Sequence, residues 1–285
     1  LRFVFTPDAQ EFAECTGPLL AARLECNLLA TILMSVLGGA RRDPPPVFVY
    51  GLSEPGDEVA FAAMRIPPFQ LLTSPLDDVA DAEPLMELWL QADPDCSSVT
   101  GVPDTARAIA AAWVRRTGGT TRTTMNEAMH VLDEVRDPPR PAAGSLRLAE
   151  PDERDLLVAW MEEFVAEAGL IGAAQAARMV DARLRNQGLL VWDDGQPVSM
   201  IGVAPEVSGV VRIGPVYTPP RHRRRGYAGS AVAAASRRAL AGGAARCMLF
   251  TDLANPTSNK IYAEVGYRRT GDWEEIALEP AQPSS

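Results

Sequence analysis

Lysine is nearly missing from this chain. Lys260 is the only one, although lysine and arginine together number 27. Beside the abundant alanine, this indicates a GC-rich coding bias and not a function. Histidine is almost as scarce: only His130 and His222 occur, which argues against a histidine-built metal site. The four cysteines, Cys15, Cys26, Cys96 and Cys247, are widely spaced and form no Cys-x-x-Cys pair. That spacing predicts reduced thiols and a cytoplasmic protein, not a disulfide framework. No apolar run reaches the length of a bilayer span; residues 28–39 are apolar but short, with no signal-peptide charge pattern before them. The chain opens on Leu1 and not on Met, so a few preceding residues are expected. A surplus of positive charge is absent too. The formal charge of −10 argues against nucleic acid as a general partner and is compatible with a cationic substrate. No Gly-x-Ser-x-Gly motif is present, which counts against a hydrolase.

What is there is enough to fold. With 285 residues, 47% of them apolar, one or two domains with a sizeable core are expected. The most informative stretch runs from Val216 to Ser230. A strand-like run, Val210 to Thr218, meets two prolines, then a basic turn, then a glycine that opens an alanine-rich helix. A strand feeding a helix through such a turn can hold a pyrophosphate, because the helix start offers unpaired N–H groups and the positive end of its dipole. Gly226 lets the backbone approach an anion, Ala228 and Gly229 keep bulk away, and Arg223, Arg224 and Arg225 add charge. A solvated arginine run or a nucleic-acid patch are the alternatives. The framing prolines and glycine, and the acidic chain as a whole, favour the phosphate loop.

Arg223-x-x-Gly226-x-Ala228 matches the Arg/Gln-x-x-Gly-x-Gly/Ala pattern of the GNAT N-acetyltransferase superfamily. Downstream, Leu249 to Tyr267 resembles the second motif of that family: a strand, Asn255, a short helix with Tyr262 seven residues later, then Gly266-Tyr267. The resemblance spans roughly residues 145 to 279. It implies a GNAT fold, an α+β architecture whose mixed, mostly antiparallel sheet is flanked by helices. It also implies acetyl-CoA as acyl donor and a small-molecule or peptide amine as acceptor. The strand Val216-Tyr217-Thr218 would pair with the pantetheine amides, and the loop through Arg224, Arg225, Gly226, Tyr227, Ala228 and Gly229 would hold the pyrophosphate. Asn255 and Ser258 match positions that contact CoA, and Tyr262 matches the residue that protonates the departing thiolate.

Asp137 to Gly144 is rich in proline and reads as a linker. It divides the chain into residues 1–137, a linker at 138–144, and a catalytic domain at 145–285. In the C-terminal part the pattern predicts a strand at Ser145–Ala149, helices at Asp152–Ala168 and Ala173–Gln187, and a run of antiparallel strands to Thr218. The N-terminal part reads as helices over Gln10–Leu37, strands at Val47–Tyr50 and Val59–Ile66, helices at Pro84–Leu90 and Thr105–Arg116, and a strand at Met125–Leu132. This order resembles a second, degenerate copy of the same fold, giving two tandem copies. Ser98 to Ala106 would stand where its phosphate loop belongs. Lacking the arginine–glycine pattern and carrying Asp104, that copy is expected to bind no acyl-CoA.

The catalytic assignments leave alternatives open. Asn255 before Pro256 also suits a helix cap, and Tyr262 also suits a core-facing tyrosine. An ammonium acceptor must lose a proton before it attacks. Family members often supply a glutamate on the strand before the phosphate loop, where this chain has Arg212. Glu206 and Asp252 are the candidate bases, acting directly or through water; the favoured alternative for each is a structural hydrogen bond or a solvent-facing side chain. Glu162, Glu163 and Glu167 would either line an acceptor pocket or form an exposed helix face. His222 reads as a surface residue. A CoA-binding module without catalysis is the alternative to the enzyme.

Overall fold

The computed structural model describes residues 1–39, 43–169 and 175–281. It divides into two compact units, Leu1–Glu127 with Gly271–Ser285, and Ala128–Thr270. This division departs from the expected boundaries at 137 and 145. Strand pairing, not chain continuity, decides membership: the end of the N-terminal half belongs to unit 2 and the end of the chain to unit 1.

Unit 1 contains β1 (Arg2–Thr6), α1 (Ala9–Ala22), α2 (Asn27–Leu37), β2 (Val47–Leu52), β3 (Val59–Arg65), β4 (Leu71–Thr73), α3 (Ala82–Ala92), β5 (Ser98–Gly101), α4 (Pro103–Thr117) and the first part of β6 (Thr120–Leu132). β1 to β4 are antiparallel neighbours in turn, and β4 pairs with β5 in parallel across the α3 crossover. The last strand of the chain, β12 (Arg268–Glu279), closes this sheet by pairing Glu274–Ala277 antiparallel to β5. Its core gathers Phe61, Leu71, Leu85, Trp89, Val99, Ile109 and Trp113 with Ile276 and Leu278.

Unit 2 continues with the end of β6, then β7 (Ser145–Leu148), α5 (Arg154–Glu167), α6 (Ala176–Arg185), β8 (Leu189–Asp193), β9 (Pro197–Val203), β10 (Val210–Tyr217), α7 (Tyr227–Ala241), β11 (Arg246–Asp252) and α8 (Pro256–Val265). The expected second helix began at Ala173; Ala173 and Ala174 lie outside the described residues. β7, β8, β9 and β10 form an antiparallel series, and β11 joins β10 in parallel. The strand period of two sorts the core. Leu190, Trp192, Ile201 and Ile213 face α7 and α8, while Leu189, Val191, Met200 and Tyr217 face α5 and α6.

β10 is interrupted part-way along its length. Its pairing with β9 slips between Ile213 and Val216. Gly214-Pro215 lies there, and a proline inside a strand withholds an N–H, so it fits at a bulge. Gly202 on β9 makes room: a Cβ there would lie 2.5 Å from the Gly214 carbonyl oxygen.

Candidate active site

β10 and β11 stay together only briefly. Val210, Val211 and Arg212 pair with Arg246, Cys247 and Met248, and beyond the bulge no further pairs form between the two strands. The edge of β10 that faces β11 is therefore open from Ile213 to Tyr217, at the C-terminal ends of two parallel strands, where ligands enter sheets of this kind. At the mouth of the opening, the chain turns through Pro220–His222 and enters α7 at Gly226, whose φ is +84°. Arg224 is also left-handed, with φ +65°. These two reversals leave the amides from Arg224 to Gly229 without a hydrogen-bond partner among the described residues; the first helical bond runs from Ser230 N–H to the Gly226 carbonyl. A row of free N–H groups at a helix start, with exposed Arg224 and Arg225 beside it, suits a diphosphate.

Residues 147–267 match the model of the Acetyltransferase (GNAT) family. Residues 147–267 form a GNAT-family domain. No curated protein matches the chain. Among solved structures, an acetyltransferase from the GNAT family of Colwellia psychrerythraea is 11% identical, with a TM-score of 0.61 and coverage of 99% of this chain and 100% of the other. A Drosophila protein is 16% identical with a TM-score of 0.66, covering 99% of both chains. A tandem GNAT protein from the clavulanic acid biosynthesis pathway is 18% identical with a TM-score of 0.60, covering both chains completely. At these identities the likeness speaks for the fold: both halves of the chain carry the GNAT architecture.

Within the GNAT domain the expected site residues separate into groups. Val216, Tyr217 and Thr218 lie along the open edge, though two of their carbonyls are taken. Ser199 Oγ donates to the Tyr217 carbonyl at 2.9 Å and Arg223 Nε donates to that of Thr218 at 2.8 Å. Arg223 is thereby turned away from the phosphate loop. Its guanidinium also donates to both oxygens of Glu167 and lies 5.6 Å from the Tyr217 ring centroid. Tyr227 is inside as well, its hydroxyl donating to Asp194 at 2.6 Å. The side chains left to meet an anion from this loop are those of Arg224 and Arg225; Gly229 is buried, its open side facing Pro138 and Ile261.

α8 starts at the end of β11. Asn255 caps it, its Oδ1 accepting from Ser258 N–H at 3.0 Å. Tyr262 is buried in the cluster beneath α7 and α8, with its ring edge-on to Tyr267 at 6.1 Å. Burial pushes its phenol up to about 12, opposed in part by the neighbouring Ser258 hydroxyl. The hydroxyl is thus protonated at any working pH and is available as a donor.

The two candidate bases part company. Asp252 ends β11, next to the opening, and its Oδ1 accepts from Ala254 N–H at 2.8 Å. Glu206 is exposed in the β9–β10 turn and accepts from Gly209 N–H at 3.2 Å. That turn precedes Val210, which is level with Arg246 at the start of β11. Glu206 is therefore about one length of β11 from Asp252, roughly 20 Å for its 7 residues. The Glu206 carboxylate serves a turn, and of the two candidates Asp252 is the one beside the opening. His222 is corrected from surface to interior. It is buried, Arg221 Nε donates to its Nε2 at 3.1 Å, and burial, then Arg221 and Arg225, lower its pKa.

Sequence reasoning left the face of α5 undecided, and there the structure adds a cluster. Tyr217 donates to Glu163 Oε2 at 2.8 Å and lies 3.3 Å from Glu167 Oε1. Burial first, then Glu163, raises the Tyr217 phenol beyond the usual range, so it stays neutral. The spacing of Glu163 and Glu167, four apart on one helix, is the signal that places both beside a residue of β10.

Unit 1 offers no equivalent opening among the described residues. The counterpart of β10–α7 is β4–α3, so the loop to compare is Ser74–Asp81. The expectation that Ser98–Ala106 holds this place is corrected: that segment is the next strand and helix. The Ser74–Asp81 loop carries Asp77, Asp78 and Asp81 and no arginine. β4 and β5 pair at Leu71–Val99 and Leu72–Thr100, and just beyond these pairs a Cβ on Gly101 would run into Thr73 Oγ1.

Proposed function

We propose that unit 2 is an N-acetyltransferase that takes an acetyl group from acetyl-CoA and passes it to a primary amine by direct attack on the thioester. The observation that carries this reading is the divergence of β10 from β11 next to the free amides of Arg224 to Gly229. When bound, acetyl-CoA supplies an activated acyl carbon and a thiolate leaving group. The loop amides and the arginines hold the diphosphate, and the open edge of β10 orients the pantetheine arm. Backbone N–H groups of that edge polarise the carbonyl, and proximity of the amine supplies much of the rate. The amine nitrogen forms a bond to the acyl carbon as the carbon–sulfur bond breaks. Tyr262 donates its proton to the departing sulfur, whose conjugate thiol has a pKa of about 8.5. Asp252, directly or through water, takes the proton that the amine must lose.

Two observations favour a CoA-binding module without catalysis: Asp252 is already engaged by its own turn, and Arg212 stands where a base on β10 would be. Release of free CoA thiol from acetyl-CoA, followed across a panel of diamines, amino acids and peptide N-termini, separates the two. Amine-dependent release supports the enzyme. Binding of acetyl-CoA with no release above the uncatalysed rate for any amine would leave only the module.

A further inference from the structure

The proline-rich stretch between the strands β6 and β7 does not hang free. Its residues lie against the phosphate loop within unit 2. A Cβ on Gly226 would lie 2.6 Å from the Arg140 carbonyl oxygen, and one on Gly229 would lie 3.7 Å from Pro138 Cβ. Ala142 N–H donates to Ser230 Oγ in the first turn of α7 at 2.9 Å, and Trp192 Nε1 donates to the Ala143 carbonyl at 2.7 Å. On the other side of Arg140, Asp137 forms an ion pair with Arg237 of α7. Prolines at 138, 139 and 141 stiffen what these bonds anchor. The stretch is a strap fastened across the start of α7, and Arg140 is the residue directly over Gly226.

Arg140 is exposed, and its guanidinium has no carboxylate partner among the described residues. Its acidic neighbour Asp137 is occupied by Arg237, and Arg223 of the loop is occupied by Glu167. The strap therefore sets the backbone of this exposed arginine against the loop whose own Arg223 is turned to Glu167. The geometry points to Arg140 as a further binding residue for the diphosphate of CoA, supplied from outside the segment that matches the family. This rests on the reading of the loop as an acyl-CoA site. A guanidinium suits the task because its fork of donors matches phosphate oxygens.

Calorimetric titration of the full chain with CoA and with dephospho-CoA, at low salt, tests this with Arg140→Gln and Arg140→Lys. Arg140→Gln is expected to weaken both ligands by about tenfold, the size of one charge-assisted contact, at an unchanged melting temperature. Arg140→Lys should recover part of the loss, and added salt should narrow the gap. CoA affinity of Arg140→Gln within twofold of the parent would reduce Arg140 to a solvated arginine and overturn the inference, leaving the site reading intact. A loss seen with CoA and not with dephospho-CoA would move the contact to the 3′-phosphate and overturn it equally. A parent that binds neither ligand would remove the site reading itself, and the inference with it.

Discussion

Tyr217 and Glu163 share a hydrogen bond of 2.8 Å that ties the end of β10 to α5. It lies on the α5–α6 face of the sheet, opposite the face covered by α7. Glu167 is neutralised by Arg223, whereas Glu163 has a neutral phenol as its partner. A cationic amine reaching the open edge of β10 from this face meets the Glu163 carboxylate. Glu163→Gln should raise KM for the amine by about tenfold, as for loss of one charged hydrogen bond. CoA affinity should not change. Steady-state kinetics with the amine varied, beside a CoA titration, checks both halves of this expectation; an unchanged KM would make Glu163 a structural anchor.

Gly226 carries two constraints at once. Its φ of +84° disfavours any side chain, and its Cβ position is taken by the Arg140 carbonyl. Gly226→Val should abolish CoA binding and also cost about 1–3 kcal/mol of stability. Melting curves and CoA calorimetry on the variant report the two effects separately. A variant that melts like the parent and binds CoA normally would contradict the loop geometry.

Tyr262→Phe removes a proton donor without removing the ring that packs on Tyr267. It should lower kcat by about a hundredfold with little change in CoA affinity. A kcat within twofold of the parent would show that the thiolate leaves unassisted.

Arg147 clamps Glu153 and Asp193, with contacts of 2.9 Å from Nη1 to Glu153 and 2.7 Å from Nη2 to Asp193. The Arg147 guanidinium holds the Glu153 carboxyl below its ordinary 4.5, helped by Glu150 N–H and opposed by burial. The folded value lies below the unfolded one. The clamp is therefore complete above about pH 4.5 and is lost as pH falls through the folded value. Glu153→Gln should lower Tm by roughly 2–4 °C near neutrality, the shift that ~1 kcal/mol gives in a unit of this length. The deficit should shrink toward pH 3. Melting curves from pH 7 to 3 test it, and a deficit that grows in acid would contradict the sign.

Much of unit 2 was legible because its chemistry is local. Asn255 before Pro256 writes a helix start, Gly226 after three arginines writes a left-handed turn, and short, mostly apolar runs write β8 and β9, which are buried on both faces. The opening of β10 was less legible: Gly214-Pro215 marks a bulge, but the matching Gly202 is on another strand. The role of the strap and the turning of Arg223 toward Glu167 depend on contacts 49 or more positions apart, which no local pattern encodes. In unit 1 the strand β4 is too short to leave a periodic signal. Its omission moved the presumed phosphate loop one strand too far along the chain. The expectation that this loop binds no acyl-CoA carries over to the corrected place, where Asp77, Asp78 and Asp81 stand.

The central claim is that one half of the chain binds acyl-CoA and the other does not. Unit 2 has parted strands and free amides, whereas in unit 1 Gly101 is closed on Thr73 and the loop is acidic. A saturating calorimetric titration of the full chain with acetyl-CoA measures this directly. The account predicts a stoichiometry of one per chain, lost in Gly226→Val. Two molecules per chain, or one that persists undiminished in Gly226→Val, would contradict it.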